Sequence, residues 1–479
     1  MESVKVVTPA EMTRIEQTGD PERFMQEAGT GVATAVAAFI QERQLPKKVL
    51  MLVGVGNNGG DAWAAGAILL AQGFQVSAYP IAGARSVLNQ KFFERFKQNQ
   101  GRILAKLQFE DGVILDGLLG TGFRGHIEGE MASVITAANG SKLPILAIDI
   151  PSGLNGATGE GSVAIRSCET MALGLLKIGF FLRDGWNCVG TIRLIDFGLS
   201  KEAIASADAV AYVPKHLTVP KIVRNRHKYQ AGYVVGFGGS KTLSGAIKLS
   251  GLAALRAGAG IVRLFHLEEI GPAPLELICA PWSDNEWKEA LAKAGAVFVG
   301  PGLGRSKQAR SWLKKHLGSI DKPCVVDADA LMPEWTFPKG AVLTPHRGEA
   351  LRLLQLDAAP LEEELFGQII RFCERRDVVF VLKGAPTFIF KAQSLPMIIP
   401  RGDPGMAKAG TGDVLTGVIA ALLSAGCTPF EAAVLGVALH ALSGEFATKQ
   451  TTSHCLIAED LIALMPEAFR FVDAGHDIV

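Results

Sequence analysis

Short apolar runs alternate with stretches of helical periodicity along most of the chain, the pattern of a parallel sheet covered by helices on both faces. In the first half this predicts two helices over 8–38, with Thr8 as N-cap and Pro9 at the first helical position. A strand over 48–54, a turn through GVGNNGG and a helix over 61–72 closed by Gly73 follow. Further strands are expected over 74–79, 112–116, 144–149 and 190–195. The alternation lapses in SADAVAYVPKHLTVP (206–220), an extended stretch with two prolines, and a domain boundary is placed there. It resumes with a strand over 233–237, a helix over 244–257, and strands near Ile261, Ala296, Cys324, Ala341 and Val378. From Thr411 to about Ala468 the chain reads as helical. Its most apolar stretch, 414–430, is broken by Gly417, Ser424, Gly426 and Pro429. At roughly 17 residues it falls short of the ~20 that span a bilayer, so a buried helix pair is expected.

Composition narrows the class. At 479 residues the chain exceeds a single core, and two α/β domains are expected, 1–213 and 220–479. A net charge of +1 gives no basic excess for nucleic acid or a membrane surface. Seven dispersed cysteines without CxxC spacing suggest reduced thiols, a cytoplasmic setting and no zinc site. Residues 1–11 lack the apolar core of a secretory signal.

Chemistry enters through clustered glycines. GVGNNGGDAW (54–63) follows an apolar strand and contains GxGxxG, by itself a weak sign of dinucleotide binding. A redox site of that type needs an acid about 20 residues on, and no Asp or Glu stands between Asp61 and Glu94. A dehydrogenase is therefore not expected. GTGFRGH (120–126) and AIDIPSGLN (147–155) would join the first loop in one crevice, because doubly wound sheets bind ligands at the carboxyl ends of their strands. Asn58, Asp116 and Ser152 offer hard oxygens suited to an alkali or alkaline-earth cation. Asp149 reads as a helix cap or an acid–base group. Lys177, amid the apolar residues of ETMALGLLKIGFF, either snorkels to the surface or pairs with Asp149.

In the second half, GGSKT (238–242) lacks the glycine that a P-loop places directly before its lysine. MAKAGTGDVLTG (406–417) opens a late helix, so the amides of 410–412 would point at a terminal phosphate. Asp413 reads as an N-terminal cap or as the base for an attacking hydroxyl. GPGLGR (300–305), VVDADAL (325–331), LTPHRGE (343–349) and VLKGAPT (381–387) all lie at strand ends. His346 is either structural or binding, and Lys383 with its glycine is a natural diphosphate cradle.

Taken together, the first-half motifs resemble the NAD(P)H-hydrate epimerase domain, through TPAEMTRIEQ, MQEAGTGVA, GNNGGD, LDGLLGTGFRG, DIPSGLN, LKIG and IDFGLS. The resemblance implies a Rossmann-like doubly wound sheet. Asn57, Asn58, Gly59, Gly60, Asp61, Gly120, Thr121, Gly122, Phe123, Arg124, Gly125, His126 and Asp149 would contact the substrate. Asn58, Asp116 and Ser152 would hold potassium, and Asp149 with Lys177 would transfer protons at the hydrated nicotinamide carbon. Ala62 and Trp63 stand where the family usually has glycine, and Leu176 where proline is common.

The second half resembles the ADP- or ATP-dependent NAD(P)H-hydrate dehydratase of the ribokinase-like superfamily. The matching segments are RHK, GYVVGFGGS, SGAIKLSGLAALRAGAGIV, GPGLG, VDADAL, LTPHRGE, LKGAPT and PGMAKAGTGDVLTGVIAALL. By position, Ala246, Gly302 and His346 would line the hydrate site with Asp413 as base. Lys383, Gly384, Ala385, Pro386, Thr387 and Gly412 would hold the nucleotide, with Mg2+ on its phosphates. Lys408 and Ala409 depart from the usual Thr or Ser and Gly, and Tyr229 follows His227–Lys228.

The two resemblances together imply a bifunctional repair enzyme, a homo-oligomer that epimerises hydrated NAD(P)H and dehydrates its S form with ADP or ATP. The alternative is a ribokinase-like small-molecule kinase fused to a nucleotide-binding scaffold.

Overall fold

A computed structural model describes residues 2–123, 125–282, 286–358 and 360–479. The chain divides into two compact units, Val4–Ala211 and Tyr212–Ile478. Both are α/β, as the sequence led us to expect.

The strands of the amino-terminal unit are β1 (Ser3–Val7), β2 (Lys48–Val53), β3 (Gln75–Pro80), β4 (Arg102–Ile103), β5 (Val113–Gly117), β6 (Ile145–Ile148), β7 (Glu169–Leu173), β8 (Leu176–Lys177) and β9 (Thr191–Ile195). Seven form a parallel sheet in the order β4-β3-β2-β5-β6-β7-β9, while β1 pairs with β8. Strand order reverses between β2 and β5, which opens a crevice at their carboxyl ends. Both faces are covered. Val49, Met51 and Val53 of β2 enter one apolar core with the helices Pro21–Glu42 and Asn57–Ala71. Leu50 and Leu52 enter a second core beneath the helix Gly129–Gly140. Such two-sided burial is why these strands read as continuous apolar runs.

Two expectations change. The helix expected from residue 61 begins at Asn57, with Gly56 as its extended N-cap. Glycine's poor helix propensity had placed Gly59 and Gly60 in the preceding turn. Here the missing side chains permit close packing instead: a Cβ on Gly59 would lie 2.1 Å from Gly54 O, and one on Gly60 2.5 Å from Met25 Sδ. The segment around Lys177 was not expected to form strands, yet it supplies β7 and β8.

In the carboxyl-terminal unit the strands are β10 (Ala211–Pro214), β11 (Tyr233–Phe237), β12 (Ile261–His266), β13 (Ile278–Pro281), β14 (Ala296–Val299), β15 (Cys324–Val326), β16 (Val342–Leu343), β17 (Val379–Leu382), β18 (Thr387–Phe390) and β19 (Met397–Ile399). They run β13-β12-β11-β14-β15-β16-β17-β18-β19-β10, parallel from β13 to β17 and antiparallel through β18 and β19. The antiparallel hairpin was not anticipated. The helical end resolves into Thr411–Ser424, Pro429–Gln450 and Ala458–Asp473, all packed into one core with Ser244–Arg256. Pro429–Gln450 is long and apolar enough to cross a bilayer, but 72% of its most apolar window is buried against the rest of the unit. The helix pair expected at 414–430 is thus present. Gly417 sets the spacing of Thr411–Ser424 against Ser244–Arg256: a Cβ there would lie 2.0 Å from Ser250 O, so these two helix backbones touch.

Candidate active sites

In the amino-terminal unit a cavity of about 660 Å³ opens at the crevice between β2 and β5. Asn57, Asn58, Asp61, Gly120, Thr121, Gly122, Phe123 and Asp149 line it, with Glu16 and Phe24 from the first two helices. Gly59 and Gly60 face the protein interior, Gly125 and His126 are absent from the lining, and Arg124 lies outside the described residues.

Asp149 follows β6 with a φ of +64°, a left-handed conformation that costs a non-glycine residue energy and concentrates at functional positions. Its carboxylate caps no helix. Oδ1 accepts from Lys177 Nζ at 2.5 Å and Oδ2 from the Thr121 amide at 3.2 Å. Lys177 is 0% exposed, so it does not snorkel; its ammonium also donates to Leu173 O at 2.8 Å. Asp61, nearly buried, is held well above the usual carboxylate range by burial and then by the charges of Asp149 and Glu16. Burial and Asp149 push Glu16 up to about 7 against the pull of Lys177.

Beside the cavity, Ser152 Oγ donates to Asp116 Oδ1 at 2.6 Å and the Ser152 amide donates to Oδ2 at 2.8 Å. Asn58 Nδ2 donates to the carbonyls of Leu119 and Ile148, leaving Asn58 Oδ1 buried without a partner among the described residues. The three oxygen-bearing residues singled out from the sequence are therefore gathered at the carboxyl ends of neighbouring strands.

The Trp63 departure braces the glycine loop. Fully buried, Trp63 donates from Nε1 to Asn89 Oδ1 at 3.1 Å, and Asn89 Nδ2 donates to the carbonyls of Gly54 and Gly56. Asn89 lies 35 residues from Gly54 in sequence, so local pattern carried no sign of it.

In the carboxyl-terminal unit, Gly410 (φ +95°) caps the helix Thr411–Ser424, whose first-turn amides have no intrahelical acceptor. Asp413 lies in that turn without capping it. Burial, then the charge of Asp327, pushes its carboxyl up to about 7, with Lys383 pulling the other way. Lys383 directly follows β17 and lies beside Gly412, where a Cβ would stand 3.2 Å from Nζ. Its ammonium lies 3.0 Å from Asp327 Oδ1, and Thr416 Oγ1 donates to Oδ2 at 2.9 Å. Burial opposes the charge of Lys383, but Asp327, Glu349 and Asp413 together raise its pKa. Gly384, Ala385 and Pro386 make the β17–β18 turn, closed by Thr387 Oγ1 donating to Gly384 O.

His346 is bridged to Lys383 and caps the helix Arg347–Leu353, its Nδ1 accepting from the amides of Gly348 and Glu349. Gly302 (φ +61°) meets Ala246, whose Cβ would be 3.1 Å from an added one. Ser250, one turn beyond Ala246, donates to Asp413 O at 2.9 Å. Lys408 places its ammonium 2.6 Å from the carbonyls of both His454 and Leu456. Asp327 and Thr416 were not singled out from the sequence. Asp327 sat visibly in VVDADAL, but its bond to a helix 89 residues away did not.

Comparison with known proteins matches residues 21–179 to the family described as YjeF-related protein N-terminus and residues 234–467 to that described as NAD(P)H-hydrate dehydratase. The bifunctional NAD(P)H-hydrate repair enzyme Nnr of Moorella thermoacetica is 31% identical over 97% of this chain and 96% of its own. That of Escherichia coli is 32% identical over 89% of this chain and 86% of its own. Among solved structures, ADP/ATP-dependent NAD(P)H-hydrate dehydratase from Bacillus subtilis, co-crystallized with ATP/Mg2+, is 29% identical. It covers 53% of this chain and 95% of its own at a TM-score of 0.46. With relatives above 30% identity aligned along nearly the whole length of both partners, this chain belongs to the family of bifunctional NAD(P)H-hydrate repair enzymes.

Proposed function

We propose that the amino-terminal unit interconverts the R and S hydrates of NADH or NADPH and that the carboxyl-terminal unit dehydrates the S form with ADP or ATP. The observation that carries the reading is a pair of carboxylates placed for proton work, Asp149 on buried Lys177 and Asp413 on a helix N-terminus beside Lys383. In the first site Asp149 and Lys177 serve proton transfer at the hydrated carbon, while Asn57, Asn58, Asp61 and the loop from Gly120 to Phe123 hold the substrate.

In the second site Asp413 takes the proton of the ring hydroxyl as it attacks the terminal phosphate, and the phosphate then leaves to restore the ring double bond. Lys383 and the Gly412 amide hold the nucleotide, with Gly384, Ala385, Pro386 and Thr387 in the adjoining turn; Ala246, Gly302 and His346 flank the hydrate.

Two ions fit the residues present. The orphaned Asn58 Oδ1, with Asp116 and Ser152, makes an oxygen-only donor set suited to potassium. Three carboxylates acting on one lysine leave negative charge beside the nucleotide, which suits Mg2+ arriving on its phosphates. Bound there, Mg2+ would neutralise phosphate charge. The reading includes a homo-oligomer working in the cytoplasm.

The test follows reduced-cofactor absorbance on a mixed-epimer hydrate with each nucleotide in turn. Complete conversion supports both activities, and conversion that stops at one epimer removes the first. Nucleotide turnover without cofactor recovery makes the second unit a simple kinase.

A further inference from the structure

The helix Pro9–Glu16 ends on the wall of the amino-terminal cavity, and its last residue has no part in the scheme above. We propose that Glu16 is a second acid–base residue of that site, exchanging a proton with the ring nitrogen of the hydrate while Asp149 exchanges one with its hydroxyl. The inference rests on the epimerase reading.

Glu16, Asp61 and Asp149 share one cavity. Buried Lys177 is already committed to Asp149 and to a backbone carbonyl. Among the described residues, no hydrogen bond or ion pair engages the carboxyl of Glu16 or of Asp61. Polar groups left unpaired on a cavity wall mark the places a ligand completes.

The charged groups acting on Glu16 are Asp149 and Lys177, and Glu16 in turn acts on Asp61. The helix Pro21–Glu42 contributes Phe24, Met25 and Ala28 to the same cavity, all uncharged. Burial and the Asp149 charge bring Glu16 to about 7, so near neutrality it both gives and takes a proton. Asp61, more deeply buried, is held well above the carboxylate range by that burial and by the charges of Asp149 and Glu16. The two carboxyls of this one cavity thus sit in unlike surroundings, the arrangement by which sites divide acid from base.

The chemistry needs such a pair. Water added across an enamine leaves the hydroxyl on the carbon bonded to nitrogen, and the epimers differ there. Asp149 takes the hydroxyl proton, the oxygen's electrons form C=O, and the C–N bond breaks with its electrons passing to nitrogen. Glu16 donates a proton to that nitrogen. Rotation presents the other carbonyl face, and closure reverses each transfer: nitrogen attacks the carbonyl carbon, its proton returns to Glu16, and Asp149 returns its proton to the new hydroxyl. Nothing is consumed.

The experiment uses the full chain and the purified R hydrate without nucleotide, with the epimers separated by chromatography. Glu16→Gln is expected to lower kcat by about 100-fold or more with KM little changed. Epimerisation by the unaltered chain is expected to fall as pH rises through about 7, and Glu16→Gln to abolish that limb. Glu16→Asp, which keeps an acid, is expected to recover about a tenth or more of the rate and guards against a folding defect. Unchanged kcat in Glu16→Gln, or a limb that survives there and disappears in Asp61→Asn, overturns the inference. If the unaltered chain fails to interconvert the hydrates, the epimerase reading fails first and this inference with it.

Discussion

Lys383 lies against Asp327 at 3.0 Å while Thr416, from the helix that carries Asp413, donates to the other oxygen of the same carboxylate. Asp327 therefore fixes the ammonium beside the helix N-terminus where a phosphate would dock. Lys383 in turn draws the Asp413 carboxyl down against the larger effect of burial.

A pH profile follows from that balance. Asp413 must be ionised to act as a base, and burial holds it up to about 7. Dehydration kcat/KM is therefore expected to rise with pH through about 7 and to be lost below it. Lys383→Met removes the cation that opposes the upward shift, so the limb should move to higher pH. Steady-state rates between pH 5.5 and 9, roughly the span over which such a group titrates, decide it.

Asp413→Asn keeps the shape and removes the base. We expect dehydration kcat to fall by about 10²–10⁴-fold with nucleotide affinity retained, measured by calorimetry beside rates. A loss confined to nucleotide affinity would instead make Asp413 a binding group.

The Asp149–Lys177 pair predicts an asymmetric stability series. Removing one partner strands the other in the interior, so Lys177→Met or Asp149→Leu should each destabilise the amino-terminal unit by about 3–5 kcal/mol. The double variant should regain most of that and remain without epimerase activity. Thermal unfolding and epimer interconversion, measured on all three, separate stability from catalysis.

Potassium should stabilise the amino-terminal unit through Asn58, Asp116 and Ser152. Burial raises the Asp116 carboxyl to about 6 against three hydrogen bonds, and a proton there competes with the cation. The rise in Tm with potassium is expected above pH 6 and to fade as pH falls through about 6. Ser152→Ala should reduce it at every pH.

Trp63→Phe removes the bond that orients Asn89 and, through it, the carbonyls of Gly54 and Gly56. The expected loss is about 1 kcal/mol of stability, with a raised KM for the hydrate as the loop loosens.

Most of the fold was legible because its strands are buried on both faces and bounded by glycine. β11 was placed to the residue and β2 to within one, since each is an apolar run between turns. The start of the helix at Asn57 was misplaced because two glycines argue locally against a helix, whereas tertiary packing needs them there. β7, β8 and the β18–β19 hairpin were missed because short buried strands resemble any other apolar stretch. The site residues read from the sequence all sit in compact motifs. Glu16, Asn89 and Thr416 were not singled out, because the groups they face lie tens of residues or more away and only the fold brings them near.

The backbone-to-backbone seam at Gly417 and Ser250 also limits how the second unit can respond to ligands. With Ser250 bonded to the Asp413 carbonyl, the helix bearing Ala246 cannot shear past the helix bearing Asp413. Ala246 and Asp413 therefore travel as one chassis.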